Sequence, residues 1–125
     1  MKIEVSNGEI VDKITILKIK SERITDEKKL VNINNELNAL LPYLDEIGIS
    51  ESQPLFQELY VINTELWDIE DRIRLLEKDK SFGDEFIQLA RAVYFTNDKR
   101  SEIKKEINLR TESDFVEEKS YEKYD

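Results

Sequence analysis

The sequence predicts an all-α fold: an antiparallel bundle of about four helices, the last two forming a long hairpin, with an extended acidic C-terminal tail. Three observations carry that expectation. Only three glycines and two prolines interrupt 125 residues, which leaves little material for turns. Apolar residues recur every three or four positions through four successive segments. Charged residues make up 38%, a proportion that suits helices with one buried stripe better than a thick globular core. A chain of this length fits one domain, read here as a bundle over 1–110 and a tail over 111–125.

Residues 2–5 alternate polar and apolar and read as a short extended lead-in. Ser6-Asn7-Gly8-Glu9 then reads as a capping box, in which the Ser6 hydroxyl accepts from the Glu9 amide and the Glu9 carboxylate reaches back to Ser6. The first helix starts there, carries Ile10, Ile14, Leu17, Ser21 and Ile24 on one stripe widened by Val11, and runs to about Arg23. Thr25-Asp26 breaks the pattern and caps a second helix, whose seam of Leu30, Ile33, Leu37, Leu40, Leu44 and Ile47 keeps its phase across Pro42. That continuity favours a kink at the proline over a full break. Gly48 suits the left-handed position that ends the helix.

Pro54 falls in the first turn of the third helix, where its missing amide costs nothing. This helix has the clearest period, with Leu55, Leu59, Ile62, Leu66, Ile69, Ile73 and Leu76 forming a narrow coiled-coil-like seam that ends near Lys78. Lys80-Ser81-Phe82-Gly83 is the next turn. The fourth helix runs from about Asp84 to Leu109 through Phe86, Ala90, Val93, Asn97, Ile103 and Ile107, a seam that polar residues interrupt. From Thr111 onward six acids and two lysines surround Phe115, Val116, Tyr121 and Tyr124. Such a tail is extended on its own, yet it holds more aromatic residues than solvation needs, which points to docking on the bundle or on a second subunit.

Composition also excludes functions. A formal charge of −9 opposes nucleic-acid binding and attraction to anionic membranes, since both rest on basic surface. No apolar run approaches the roughly 20 residues of a spanning helix, and Met1-Lys2-Ile3-Glu4 is unlike a signal peptide, so the expected location is cytoplasmic. The chain has no cysteine and no histidine, which removes disulfides, thiolate nucleophiles, histidine-based triads and the usual zinc and haem ligands. No cofactor is expected, and any chemistry must use carboxylates, Lys, Arg, Tyr or hydroxyls.

Candidate ligand-binding residues cluster in the fourth helix: Asn97, Asp98, Lys99, Arg100 and Lys104. Asn97 falls on the predicted buried line, where an amide needs a partner. It either fixes helix register, the best-attested use of a seam Asn, or joins Arg100 and Lys104 in facing a small anion. From Arg91 to Arg110 six basic residues stand against three acids, which also suits the C-terminal half of a helix. In the register reading Asn97→Leu is neutral or stabilising; in either reading Arg100→Ala costs less than about 1 kcal/mol, as for a partly exposed charge. No metal site is assigned. The carboxylates nearest to one are Glu65 and Asp68, with Glu9 and Asp12 repeating the spacing. All-helical nucleoside-triphosphate pyrophosphatases use such pairs, but the likeness is poor, and 28 acids produce these spacings by chance.

Four stretches bear on family membership: Val5 to Leu17, Glu65 to Ile73, Val93 to Arg100 and Val116 to Tyr121. Through them the chain resembles an uncharacterised domain-of-unknown-function family of short bacterial all-helical proteins. The resemblance implies an association with surface-polysaccharide and glycosyltransferase genes, and no established activity. The leading expectation is therefore a non-catalytic interaction or adaptor protein. The alternative is a small enzyme or anion-binding protein acting on a phosphorylated or sugar-nucleotide metabolite. A homodimer or higher oligomer is expected, because Phe56, Tyr60 and Trp67 add apolar surface beside the third helix's seam, and a protein partner fits the adaptor reading.

Overall fold

A computed structural model gives the architecture and describes residues 1–120 and 123. Helix accounts for 74% of it, and no strand occurs among the described residues. The elements are α1 (Asn7–Arg23), α2 (Glu27–Leu40), α3 (Pro42–Ile47), α4 (Pro54–Lys78) and α5 (Asp84–Arg110). The predicted all-α bundle with a long final hairpin is the observed fold. Tyr121 and Tyr124, two of the tail aromatics, lie outside the described residues.

The predicted second helix is divided into α2 and α3 at Leu41. Leu41 itself keeps helical backbone angles, φ −51° and ψ −40°, and its amide still bonds the Leu37 carbonyl at 2.9 Å. What Pro42 removes is the next rung of the ladder, so the Leu44 amide bonds Leu41 one residue short of a full turn. Gly48 ends α3 in the left-handed conformation at φ +85°. Where α4 and α5 end, the same left-handed region is occupied by Lys80 (φ +54°) and Glu112 (φ +53°), residues with a steric cost there that glycine would avoid.

The core sits where α1, α3 and the start of α4 meet the end of α5: Val11, Ile14, Leu44, Ile49, Phe56, Leu59 and Ile107 form one buried cluster. Among the described residues α2 packs only on α1 and α3, while α1 touches every other helix. Thus α1 is the central element, lying along the α4–α5 hairpin on one side and covered by α2 and α3 on the other. It runs antiparallel to α5, since Gly8 meets Lys104 and Asn108 while Asp12 meets Arg100.

The N-terminus of α1 is capped almost entirely by side chains. Ser6 Oγ accepts from the Glu9 amide at 3.2 Å, as the capping box predicts. The Glu9 carboxylate, however, pairs with the Lys104 ammonium at 2.8 Å. The Gly8 amide donates to Asn108 Oδ1 at 2.6 Å and the Asn7 amide to Ser113 Oγ at 3.0 Å. Gly8 is required by proximity: a Cβ there would lie 2.4 Å from the Lys104 carbonyl oxygen.

Candidate ligand-binding cleft

One buried carboxylate organises the meeting of α1, α4 and α5. Asp12, only 2% exposed, projects from α1 between the other two helices. Its Oδ1 accepts from Arg100 Nε at 2.8 Å and from Asn63 Nδ2 at 2.9 Å, and its Oδ2 accepts from Arg100 Nη2 at 2.5 Å. Asn63 also donates to Thr15 Oγ1 at 2.8 Å, and that hydroxyl donates to the Asp12 carbonyl at 2.7 Å. Asn63 and Thr15 are buried as well. No buried side-chain polar atom among the described residues lacks a partner. The cost of burying polar groups is therefore met inside the network.

The grip of Asp12 is bidentate, which fixes the plane of the Arg100 guanidinium. The Asp12 hydrogen bonds hold Arg100 more firmly protonated than usual, against the opposing effect of burial. The Arg100 side chain stays 27% exposed and lines the neighbouring clefts. Nη1 lies 3.5 Å from Asn97 Oδ1, a loose bond that leaves donor capacity for something else.

Arg100 and Asn97 stand between two clefts. The first, of about 450 Å³, has Ile16, Leu66 and Trp67 as its apolar wall, Asn63 beside them, and Glu70, Asp71 and Arg74 at its edge. The second, of about 310 Å³, adds Asp98, Ser101, Lys104 and Lys119. Lys104 is nine-tenths buried. Burial works to lower its pKa, but the hydrogen bonds it donates to Glu9 and Glu117 outweigh that and the net direction is upward. Glu117 accepts from Lys104 at 3.1 Å and pairs with Lys119 at 2.9 Å; Lys119 first, and Lys104 with it, hold this carboxyl below the usual range. Glu118 pairs with Lys105 at 3.2 Å. Residues 113–120 therefore fold back along α5 as a strap.

Four of the five candidate residues, Asn97, Asp98, Arg100 and Lys104, line one cleft. Lys99 does not join them: it is exposed and faces a separate apolar groove with Val61, Ile62 and Ile103. Asn97 is only half-buried, and its neighbour Thr96 takes the buried position that the seam assigned to Asn97. The expectation that Arg100→Ala costs little is revised, since it would strand the buried Asp12 charge. The carboxylate pairs separate: Glu9 goes to Lys104 and Asp12 to Arg100, while Asp68 pairs with Arg23 at 2.9 Å and Glu65 is exposed. No cluster of three or more potential metal ligands occurs among the described residues.

Sequence reasoning missed Asn63, Thr15 and Asn108. A signal existed for Asn63, which lies four residues after Leu59 and three before Leu66, on the buried side of the seam. Gly8 carried another, because a glycine in a first helical turn normally has a packing reason.

A family model matches residues 1–124, nearly the whole chain. The chain belongs to the family of unknown function DUF6165. No curated protein and no solved structure matches it. The four stretches that carry the family resemblance are far apart in the chain and meet around Arg100. The first supplies Asp12, the second Trp67, Glu70 and Asp71, the third Asn97, Asp98 and Arg100, and the fourth Glu117 and Lys119. Tyr121, at the end of the fourth stretch, lies outside the described residues. No helix among the described residues is long and apolar enough to cross a membrane.

Proposed function

We propose that the protein is a non-catalytic binding protein that holds a small ligand with an acidic group against Arg100. The observation that carries this reading is the bidentate lock of Arg100 by buried Asp12, which aims the free guanidinium edge into the clefts. Ser101, Lys104 and Lys119 supply further donors for a phosphate or carboxylate. On the other side Trp67 and Leu66 suit a ring or sugar face, with Glu70 and Asp71 as acceptors for hydroxyls. The resemblance to proteins associated with glycosyltransferase genes directs the choice to phosphorylated sugars and sugar nucleotides. Binding is favoured over proton transfer because Arg100 and Lys104 are both held more strongly protonated than usual, far from the pKa a general base needs near neutrality.

A thermal-shift panel of sugar phosphates, sugar nucleotides and inorganic phosphate tests this. A ligand at 100 times its Kd stabilises the fold by about 2.7 kcal/mol. The shift should vanish in Arg100→Lys, which keeps the charge and loses the planar fork. No shift with any compound at millimolar concentration would reject the reading.

A second reading concerns self-association and rests on a different observation. Leu75 (52%), Phe82 (53%) and Ile87 (52%) are exposed where only α4 and α5 pair. A second copy covering this end would complete a four-helix arrangement. Sedimentation equilibrium should show a dimer that Ile87→Glu dissociates; a monomer at high micromolar concentration would end this reading.

A further inference from the structure

We infer that the C-terminal strap is a built-in competitor for the Arg100 cleft, with the Glu117 carboxylate standing where the acidic group of a ligand goes. This rests on the binding role proposed above and adds its regulation. Lys104 is nine-tenths buried, and a buried ammonium requires a paired anion. It has two: Glu9, fixed on α1 at 2.8 Å, and Glu117, on the strap at 3.1 Å. Glu9 alone satisfies the pairing, so Glu117 can leave without orphaning the lysine.

Glu117 also bridges to Lys119, and Lys104 and Lys119 both line the cleft that Arg100 shares. A phosphate or carboxylate that takes up these two ammonium groups displaces Glu117, since two anions held between the same two cations repel each other. The strap is lightly held. Ser113 accepts from the Asn7 amide and donates its own amide to the Asn108 carbonyl; past it, the described contacts that hold the strap are the Glu117–Lys104 pair, the exposed Glu118–Lys105 pair and a half-buried Val116. Exposed ion pairs of this kind are weak and yield to a better-placed anion.

Calorimetric titration of the full chain with inorganic pyrophosphate separates the possibilities, with hydrogen exchange over 113–120 as the second readout. Glu117→Gln should bind pyrophosphate about fivefold more tightly than the parent, the scale of one modest ion pair removed. Glu118→Gln, which loosens the strap from outside the cleft, should tighten binding less than Glu117→Gln does. Pyrophosphate should also speed exchange across the strap in the parent. Binding in the parent that Glu117→Gln leaves unchanged or weakens, with strap exchange unaltered, would overturn the competitor and leave the Arg100 site standing. Pyrophosphate binding in none of the three proteins would overturn the anion site, and the competitor with it.

Discussion

The α4–α5 hairpin has two halves that look alike in sequence and differ in structure. In the half packed on α1, Phe56, Leu59 and Ile62 are buried, and so are Asn63, Thr96, Lys104 and Asn108. In the half near the turn, Ile69, Ile73, Phe86 and Leu89 are half-buried and Leu75, Phe82 and Ile87 are exposed. Yet the α4 seam runs from Leu55 to Leu76 without a break. Periodicity gives the direction in which a residue points, while depth depends on how many other helices lie over it. Where α1 is the third helix, even polar side chains are enclosed and must bond one another. Where only two helices pair, most apolar side chains stay in contact with water, and Leu76, 6% exposed, is the exception.

The largest effect that would test this contrast is at Arg100. Arg100→Ala should cost about 3–5 kcal/mol, because it leaves the buried Asp12 carboxylate without its main counter-charge. Denaturant melts read it directly. At the turn end, Arg72 makes an equally bidentate pair with Glu85, at 2.7 and 3.2 Å, but both side chains are at least half exposed. Arg72→Ala should leave the melting midpoint close to that of the parent. Equal losses at the two arginines would erase the distinction between the halves.

Apolar truncation sharpens the same contrast. Leu59→Ala, at a fully buried site, should cost about 2–5 kcal/mol. Ile73→Ala, half-buried on the same seam, should cost clearly less in a monomer. If the turn end is covered by a second copy, the Ile73 loss grows with protein concentration, since dimer stability depends on it. Melts at two concentrations distinguish these outcomes.

Much of the fold was legible because it rests on local rules. Ser6 and Asp26 cap, Gly48 takes a positive φ, and Pro54 begins a helix where the side-chain chemistry predicts. The polar site was legible only in part. A basic excess drew attention to Asn97, Arg100 and Lys104, but their partners Asp12, Asn63 and Glu117 come from segments at other positions in the chain. One-helix periodicity cannot say which buried polar residues will face one another across three helices. Helical spacing did hold the separation of Lys99, since Asn97, Arg100 and Lys104 share a face at three- and four-residue spacing and Lys99 falls outside it. Gly8 gives a compact test of this tertiary information. Gly8→Ala improves helix propensity, yet should cost about 1–3 kcal/mol by pushing α1 away from the Lys104 carbonyl. A neutral or stabilised variant would show that α1 can shift without loss.

The smallest expected effect lies at the strap, where pH should act in opposite senses at its two partners. Glu117 has a depressed pKa in the folded protein, so its pairing is complete above the ordinary carboxylate range and is lost as pH falls through the depressed value. Lys104 has a raised pKa, so its contribution is present below the ordinary ammonium value and is lost as pH rises through the raised one. The strap is therefore held most firmly between these limits. Amide resonances of Ser113 and Val116, followed through an acid titration, should move toward solvent-exposed positions as Glu117 protonates. Glu117→Gln should remove that step. Glu85 at the turn end is depressed in the same direction by its bond to Arg72, but without burial its protonation has little to release. An acid step that persists in Glu117→Gln would place the titrating group elsewhere.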